Sequence, residues 1–193
     1  MNTLYPIFLK LHTIPLLLIG AGKVGCEKLS FLLKNSPDAL VTVIAQQVSD
    51  EFWAIAKPYP NVIIYQKAFA PTDLQGHKLI IAATNNYFLN NLLCHLAKQN
   101  NLLINVADKP ALCDFYLGGI VTKGDLKIAI STNGKSPTVA KRLRQLFEAV
   151  LPDTLDELLQ NLQTYRQQLK GNFEEKVAAL NQLTASLINK NKH

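Results

Sequence analysis

The chain has 193 residues, 48% of them hydrophobic and 18% charged, and 20 Lys+Arg against 14 Asp+Glu give a formal net charge of +6. That apolar content excludes a disordered chain, and the length suits one large domain or one domain with a small appendage. No apolar run reaches the roughly 18 residues of a spanning helix, so no membrane segment is expected.

The first twenty residues lack the basic start and small-residue cleavage site of a signal peptide. Three widely spaced cysteines, Cys26, Cys94 and Cys113, imply neither a disulfide framework nor a zinc knuckle. The expected setting is reducing and cytoplasmic. Pro15 to Ile19 is a short continuous apolar run that fits a strand covered on both faces. Lys23 to Lys34 places Val24, Leu29, Phe31, Leu32 and Leu33 at helical spacing. Leu40 to Ala45 is β-branched and reads as a second strand, followed by a short helix over Val48 to Ala56 that Pro58 and Pro60 stop. Val62 to Tyr65 and Lys78 to Ala83 are the third and fourth strands. A helix over Asn86 to Asn100 and a fifth strand over Leu102 to Val106 follow. Repeated strand–helix units with short links predict a doubly wound parallel sheet with right-handed crossovers.

The pattern changes after Pro110. Alternating runs at 115–121 and 126–131, joined by Lys123-Gly124-Asp125, predict an antiparallel hairpin. The loop Asn133–Pro137 leads into a helix with Ser136 as N-cap and Pro137 at its first position, ending before Pro152. Residues 153–189 read as helical throughout. An isolated hairpin is marginal in water, so dimerisation through residues 113–150 is expected. The predicted class is α/β, a Rossmann-type parallel sheet over 1–112, a small α+β dimerisation and substrate-binding part over 113–150, and a helical C-terminal part over 151–193.

Gly20-Ala21-Gly22-Lys23-Val24-Gly25 is a G-x-G-x-x-G run set between a predicted strand and a predicted helix, the context in which the motif signals dinucleotide binding. Gly20 permits the tight turn, Gly22 the close approach of a pyrophosphate, and Gly25 close packing of helix on strand. The acid usual at the end of the second strand is absent, and Gln46 and Gln47 stand there instead. No Arg follows to hold an additional phosphate, so NAD is preferred over NADP. Thr84 and Asn105 end neighbouring strands and are further candidates for this site.

From Lys123 to Arg144 there are six basic residues and one acid, Asp125. This suggests an anionic partner, or a merely solvated face. No helix-turn-helix, zinc finger or aromatic-interleaved basic stripe is present, so nucleic acid is not expected. Of the histidines, His12, His77 and His95 show no metal-ligand spacing, and no resident metal site is expected.

Taken together, Leu4–Leu11, Gly20–Gly25, Ile81–Asn85, Asn105–Pro110 with Cys113–Phe115, and Ile128–Arg142 form a set of motifs. The set resembles the precorrin-2 dehydrogenase / sirohydrochlorin ferrochelatase family, which includes the N-terminal half of siroheme synthase. The resemblance covers about residues 4–150. It implies oxidation of precorrin-2 to sirohydrochlorin with NAD as cofactor, insertion of Fe²⁺ as a second activity of some members, and a homodimer. By family match, Lys23 and Val24, with Gln46 and Gln47, line the dinucleotide site, and Asp108 of the N-V-x-D motif is implicated in catalysis.

Asp108 follows the fifth strand, where open α/β sheets place their ligands, so its carboxylate is placed to take a proton as hydride leaves. Capping of a turn is the plain alternative, and Asp114 is the second carboxylate considered. Ser131, Asn133, Lys135 and Ser136 precede the basic helix, and with its N-terminus they are candidates to hold a carboxylate of the tetrapyrrole. Cys113 is read as a packing residue. Two other readings stay open: an NAD-sensing regulatory module, and a dehydrogenase of another small substrate.

Overall fold

The computed structural model describes residue 2 and residues 4–185. The expected helical stretch to residue 189 therefore runs past the described residues. Five strands form one parallel sheet in the order β3-β2-β1-β4-β5: β1 Leu16–Ala21, β2 Val41–Val48, β3 Val62–Gln66, β4 Leu79–Ala82 and β5 Leu103–Val106. The chain runs outward from β1 to β3, then crosses back to β4 on the other side of β1. The order therefore reverses at β1 and β4.

The central strand shows why the sheet needs two covers. Leu16 and Leu18 point into one apolar cluster, with Val41, Val43 and Ile81. Leu17 and Ile19 point into the opposite one, with Ile44, Ile80 and Ile104. Side chains alternate along a strand, so a run apolar at every position must be buried on both faces. Helix α1, Lys23–Asn35, and helix α2, Asp50–Ala56, supply Leu29, Leu33 and Phe52 to the first cluster. Helix α3, Tyr87–Gln99, supplies Leu93, Cys94 and Ala97 to the second.

Polar side chains set the helix starts. Ser49 Oγ accepts from Phe52 N at 3.2 Å and caps α2, and Asn86 Oδ1 accepts from Leu89 N at 3.0 Å and caps α3. Ser49 Oγ also donates to Ala21 O at 3.5 Å, tying the start of α2 to the glycine loop. The second strand is longer than expected. It runs to Val48 through a register shift opposite Ile19 and Ala21, so Gln46 and Gln47 lie within β2 rather than after it. The expected helix start at Val48 moves accordingly to Asp50.

Beyond β5 the expected strand from Phe115 is not formed, and its hairpin is shorter. Residues 113–115 return along β5 instead: Asp114 N donates to Ile104 O at 2.8 Å, and Asn105 Nδ2 donates to Phe115 O at 2.8 Å. Strand β6 starts at Gly119 and runs to Lys123, and β7 spans Leu126–Ile130, in a two-stranded sheet. The two-residue link, with Gly124 at φ +54°, makes the pair antiparallel. Helix α4, Pro137–Val150, follows as expected, with Ser136 Oγ accepting from Val139 N at 3.2 Å.

The C-terminal part is not one continuous helix. It divides into α5, Leu155–Gln168, and α6, Phe173–Thr184. Gly171 at φ +113° breaks the run, and Asn172 with Glu175 forms a capping box that restarts it. Among the described residues, those up to 119 with 131–140 form one compact unit, and 120–130 with 141–185 form a second. The second unit has its own ties: Lys123 pairs with Asp153, and Asp125 N donates to Asp156 Oδ1 at 2.9 Å. The division at 112 and 150 read from the sequence concerns roles along the chain, and we retain it as a proposal.

Two glycines carry the packing of the first unit. A Cβ on Gly20 would stand 2.4 Å from Ala83 O, at φ +102°, and one on Gly25 would stand 2.3 Å from Gly20 O. Both obstacles are backbone atoms, which cannot swing aside. Gly25→Ala is expected to destabilise the protein by about 1–3 kcal/mol, the usual range for overpacking. Gly20→Ala is expected to cost more, because left-handed backbone strain adds to the clash. Urea denaturation read by circular dichroism checks both.

Candidate dinucleotide and catalytic site

The parallel strands all end on one side of the sheet, and the site lies there. A cleft of about 250 Å³ opens between the ends of β1, β2 and β4. Its floor includes Gly20, Ala21, Gln46, Gln47 and Thr84, five of the nine residues expected to bind the cofactor. The remaining ones behave differently. Gly22 caps the N-terminus of α1, with Lys23 and Val24 in its first turn. No side chain caps this start, and its first turn holds no acid. The free N–H groups, the positive end of the helix dipole and Lys23 together favour an anion.

Gly22 differs from its two neighbours in the motif. Nothing lies within 4 Å of where its Cβ would stand. Gly20 and Gly25 are therefore required by packing, whereas the bare backbone at Gly22 faces open space. Such an opening fits a pyrophosphate lying on the helix start, so the residues present fit a dinucleotide.

Asn105 is held elsewhere. Its side chain is buried, donating to Phe115 O at 2.8 Å and to Cys113 Sγ at 3.5 Å. It holds the chain beyond β5 and is not among the cleft-lining residues. Thr84 instead forms a closed pair with Asn90. Its Oγ1 donates to Asn90 Oδ1 at 2.6 Å, and Asn90 Nδ2 donates back to Thr84 O at 3.0 Å. Asn90 is buried, and the pair fixes the turn from β4 into α3.

The sequence reading missed Lys67, Phe69, Asn85, Asn86 and Leu89, which also line the cleft. Asn85 and Asn86 had a legible signal, being polar residues in the short link between an apolar strand and a helix. Lys67 follows β3 in the same way. Its Nζ meets Asp73 Oδ1, and Asp73 Oδ2 accepts from Ala70 N at 2.8 Å. Partial burial opposes ionisation of Asp73, but the Lys67 ammonium and the Ala70 N–H outweigh it and hold the carboxyl below its usual range.

Past β5 the two candidate carboxylates separate. Asp114 Oδ2 accepts from Ile104 N at 3.0 Å, completing the edge of β5 where no sixth strand follows. Asp108 is exposed, makes no hydrogen bond or ion pair among the described residues, and sits at φ +58°. Turn capping, the alternative weighed for Asp108, is not what its side chain does. Cys113 is a structural thiol: Sγ donates to Val106 O and Lys109 O, each at 3.3 Å, and accepts from Val106 N at 3.2 Å. Burial pushes this thiol up, against the Val106 N–H that favours the thiolate. It is therefore not an activated nucleophile.

The loop before α4 is built around Asn133 at φ +55° and Gly134 at φ +73°. Ser131 Oγ accepts from Asn133 N at 3.2 Å, and Thr132 Oγ1 accepts from Ser136 N at 3.1 Å. Ser131 and Ser136 thus shape the loop and the helix start. Lys135 is exposed, with no partner for its ammonium among the described residues. Among the described residues no group of three His, Cys, Asp or Glu side chains is placed to hold a metal ion. Among them, too, no helix is long and apolar enough to cross a membrane.

Residues 7–119 match the family described as "Putative NAD(P)-binding", and residues 123–149 match "Sirohaem biosynthesis protein central". The chain is 37% identical over 170 residues to a siroheme synthase of Vesicomyosocius okutanii, covering 87% of this chain and 35% of that protein. It is 36% identical over 172 residues to a siroheme synthase of Ruthia magnifica, covering 89% of this chain and 34% of that one. The chain thus spans about a third of the length of the curated relatives it matches. A solved structure titled "SirC, precorrin-2 dehydrogenase" shares the fold with a TM-score of 0.74 at 22% identity, covering 93% of this chain and 89% of that one.

Gly22→Ala separates the binding role from packing. It is expected to leave stability within about 0.5 kcal/mol of wild type, as for a surface substitution without a clash. It is also expected to weaken dinucleotide binding by about tenfold or more, because the added methyl occupies the pyrophosphate's place. Calorimetric titration with NAD⁺, beside a urea melt, checks both halves.

Proposed function

The chain belongs to the family described as "Putative NAD(P)-binding", and from that premise, together with the sirohaem-biosynthesis match over residues 123–149, we propose that it oxidises precorrin-2 to sirohydrochlorin with NAD⁺. The observation that supports this most is the pairing of two features on one side of the sheet. One is a dinucleotide cleft at the reversal of strand order. The other is an exposed, unpartnered carboxylate just past β5.

The reaction takes one hydride, which carries the two electrons, and one proton from the substrate. NAD⁺ bound in the cleft would supply the hydride acceptor. The chain's own residues do the rest. The start of α1 holds the pyrophosphate, and Gln46 and Gln47 offer amide groups to the ribose hydroxyls in place of the usual acid. Asp108 accepts the proton released as hydride departs. Lys135 and the start of α4 hold carboxylates of the tetrapyrrole. The excess of basic residues over 123–144 suits such a polyanion.

We also propose a homodimer formed through the segment 113–150. The exposed apolar side chains Val139, Leu143, Leu146 and Val150 on α4 support it, since they recur along one helical stripe. Iron insertion, with Fe²⁺ as substrate, is the second activity the resemblance carries. Anaerobic incubation of sirohydrochlorin with Fe²⁺ or Co²⁺, with and without the protein, tells a bifunctional enzyme from a dehydrogenase alone.

The absorbance of sirohydrochlorin, followed after mixing precorrin-2 and NAD⁺ with the folded protein, tests the main proposal, and no turnover defeats it. Asp108→Asn is expected to fold and bind NAD⁺ normally while kcat falls by roughly 10² or more, the range for loss of a general base. Asp114→Ala is expected to do the reverse, costing about 1 kcal/mol or more of stability by leaving the Ile104 amide without its acceptor, with kcat little changed. Near-normal turnover by Asp108→Asn removes its assigned role.

A further inference from the structure

Lys67 is the only charged side chain among the described residues that line the cleft. Its position can be fixed from the strand ends. Gln66, the last residue of β3, donates from Nε2 to Gln46 O at 3.4 Å, which sets the end of β3 beside the end of β2. The end of β2 is where a Rossmann fold meets the ribose 2′ position. Lys67 therefore stands at the adenosine ribose, where the charge of the cleft decides between a 2′-hydroxyl and a 2′-phosphate.

Nothing acidic guards that position from β2, since Gln46 and Gln47 are neutral. A lone lysine there would favour the phosphate. The lysine is not alone, however, because Asp73 meets its Nζ at 2.5 Å. Asp73 is itself anchored, its second oxygen accepting from Ala70 N at 2.8 Å beside the short 3-10 turn Pro71–Leu74. We propose that Asp73 makes this chain select NAD⁺ over NADP⁺, by holding Lys67 in an ion pair at the ribose end of the cleft. This deepens the dehydrogenase reading and rests on it. A 2′-phosphate entering here competes with Asp73 for the ammonium and meets its negative charge, whereas a 2′-hydroxyl disturbs neither and bonds to the glutamine amides. The repulsive element is thus supplied from beyond β3 rather than from the end of β2.

Asp73→Asn tests this with little risk to the fold, because an asparagine oxygen still accepts from Ala70 N. Full-length protein is titrated with NAD⁺ and with NADP⁺ by calorimetry, which reads binding without turnover. In wild type NAD⁺ binds the more tightly. In Asp73→Asn the ratio of the two affinities shifts toward NADP⁺ by roughly tenfold, the scale of one new charge-assisted contact to phosphate. Adding Lys67→Met to Asp73→Asn abolishes that gain. An unchanged ratio in folded Asp73→Asn, or a gain that survives Lys67→Met, overturns the proposal while NAD⁺ binding by wild type keeps the dehydrogenase reading standing. Wild type that binds neither dinucleotide defeats both.

Discussion

The fold turns on one close approach. At the crossing of β1, β4 and α1 the Gly20 backbone lies against Ala83, and Gly25 lies against Gly20. Three backbones meet with no side chain between them. This contact brings the start of α1 down onto the end of β1, and so sets its free N–H groups at the reversal point of the sheet. The two apolar clusters depend on the same contact, because it fixes the angle at which Leu29 and Leu33 reach the first face. Ser49 braces it from the side, joining Ala21 O to the cap of α2. The geometry of the helix start and core packing are therefore one constraint here, with Gly22 the only one of the motif's three glycines left without a packing duty.

The strand–helix alternation was legible because it has a strong physical cause. A run such as Leu16–Ile19 has no polar face and can only be an inner strand of a covered sheet. The glycine loop was legible for the same kind of reason, since its spacing has meaning only between a strand and a helix. Caps such as Ser136 and breakers such as Pro58 and Pro152 fixed the neighbouring boundaries. The errors fall where local pattern and distant partners disagree. Alternation over Phe115–Val121 suggested a strand, but the side chains of Asn105 and Asp114 draw residues 113–115 back to β5. The helical reading of 153–189 ignored Gly171 and the cap at Asn172, both visible in the sequence.

The cleft was legible in its glycines and only partly in its walls. Lys67 follows the end of β3, whereas Asn85 and Asn86 follow the end of β4, and no spacing rule joins them. Only strand order sets the end of β3 next to that of β2. The pairing of Lys67 with Asp73 could not be read at all, because it depends on the Pro71–Leu74 turn, which has no strong signal of its own. The charge at the ribose end of the cleft is consequently a property of the fold and not of any single motif.

The short segment from Asn105 to Phe115 shows how chemistry is assigned among residues that look equivalent in sequence. It contains an amide, a thiol and two carboxylates, any of which is plausible at the end of a strand in an α/β sheet. Backbone groups left over at the edge of β5 must be satisfied, and they take the nearest partners. Asn105 takes the Phe115 carbonyl, Cys113 the Val106 peptide on both sides, and Asp114 the Ile104 amide. With those demands met, Asp108 alone remains, exposed and turned outward by its left-handed backbone. A catalytic base needs a carboxylate that structure does not already use. Each of its competitors is already employed, which is why we propose Asp108 for that role.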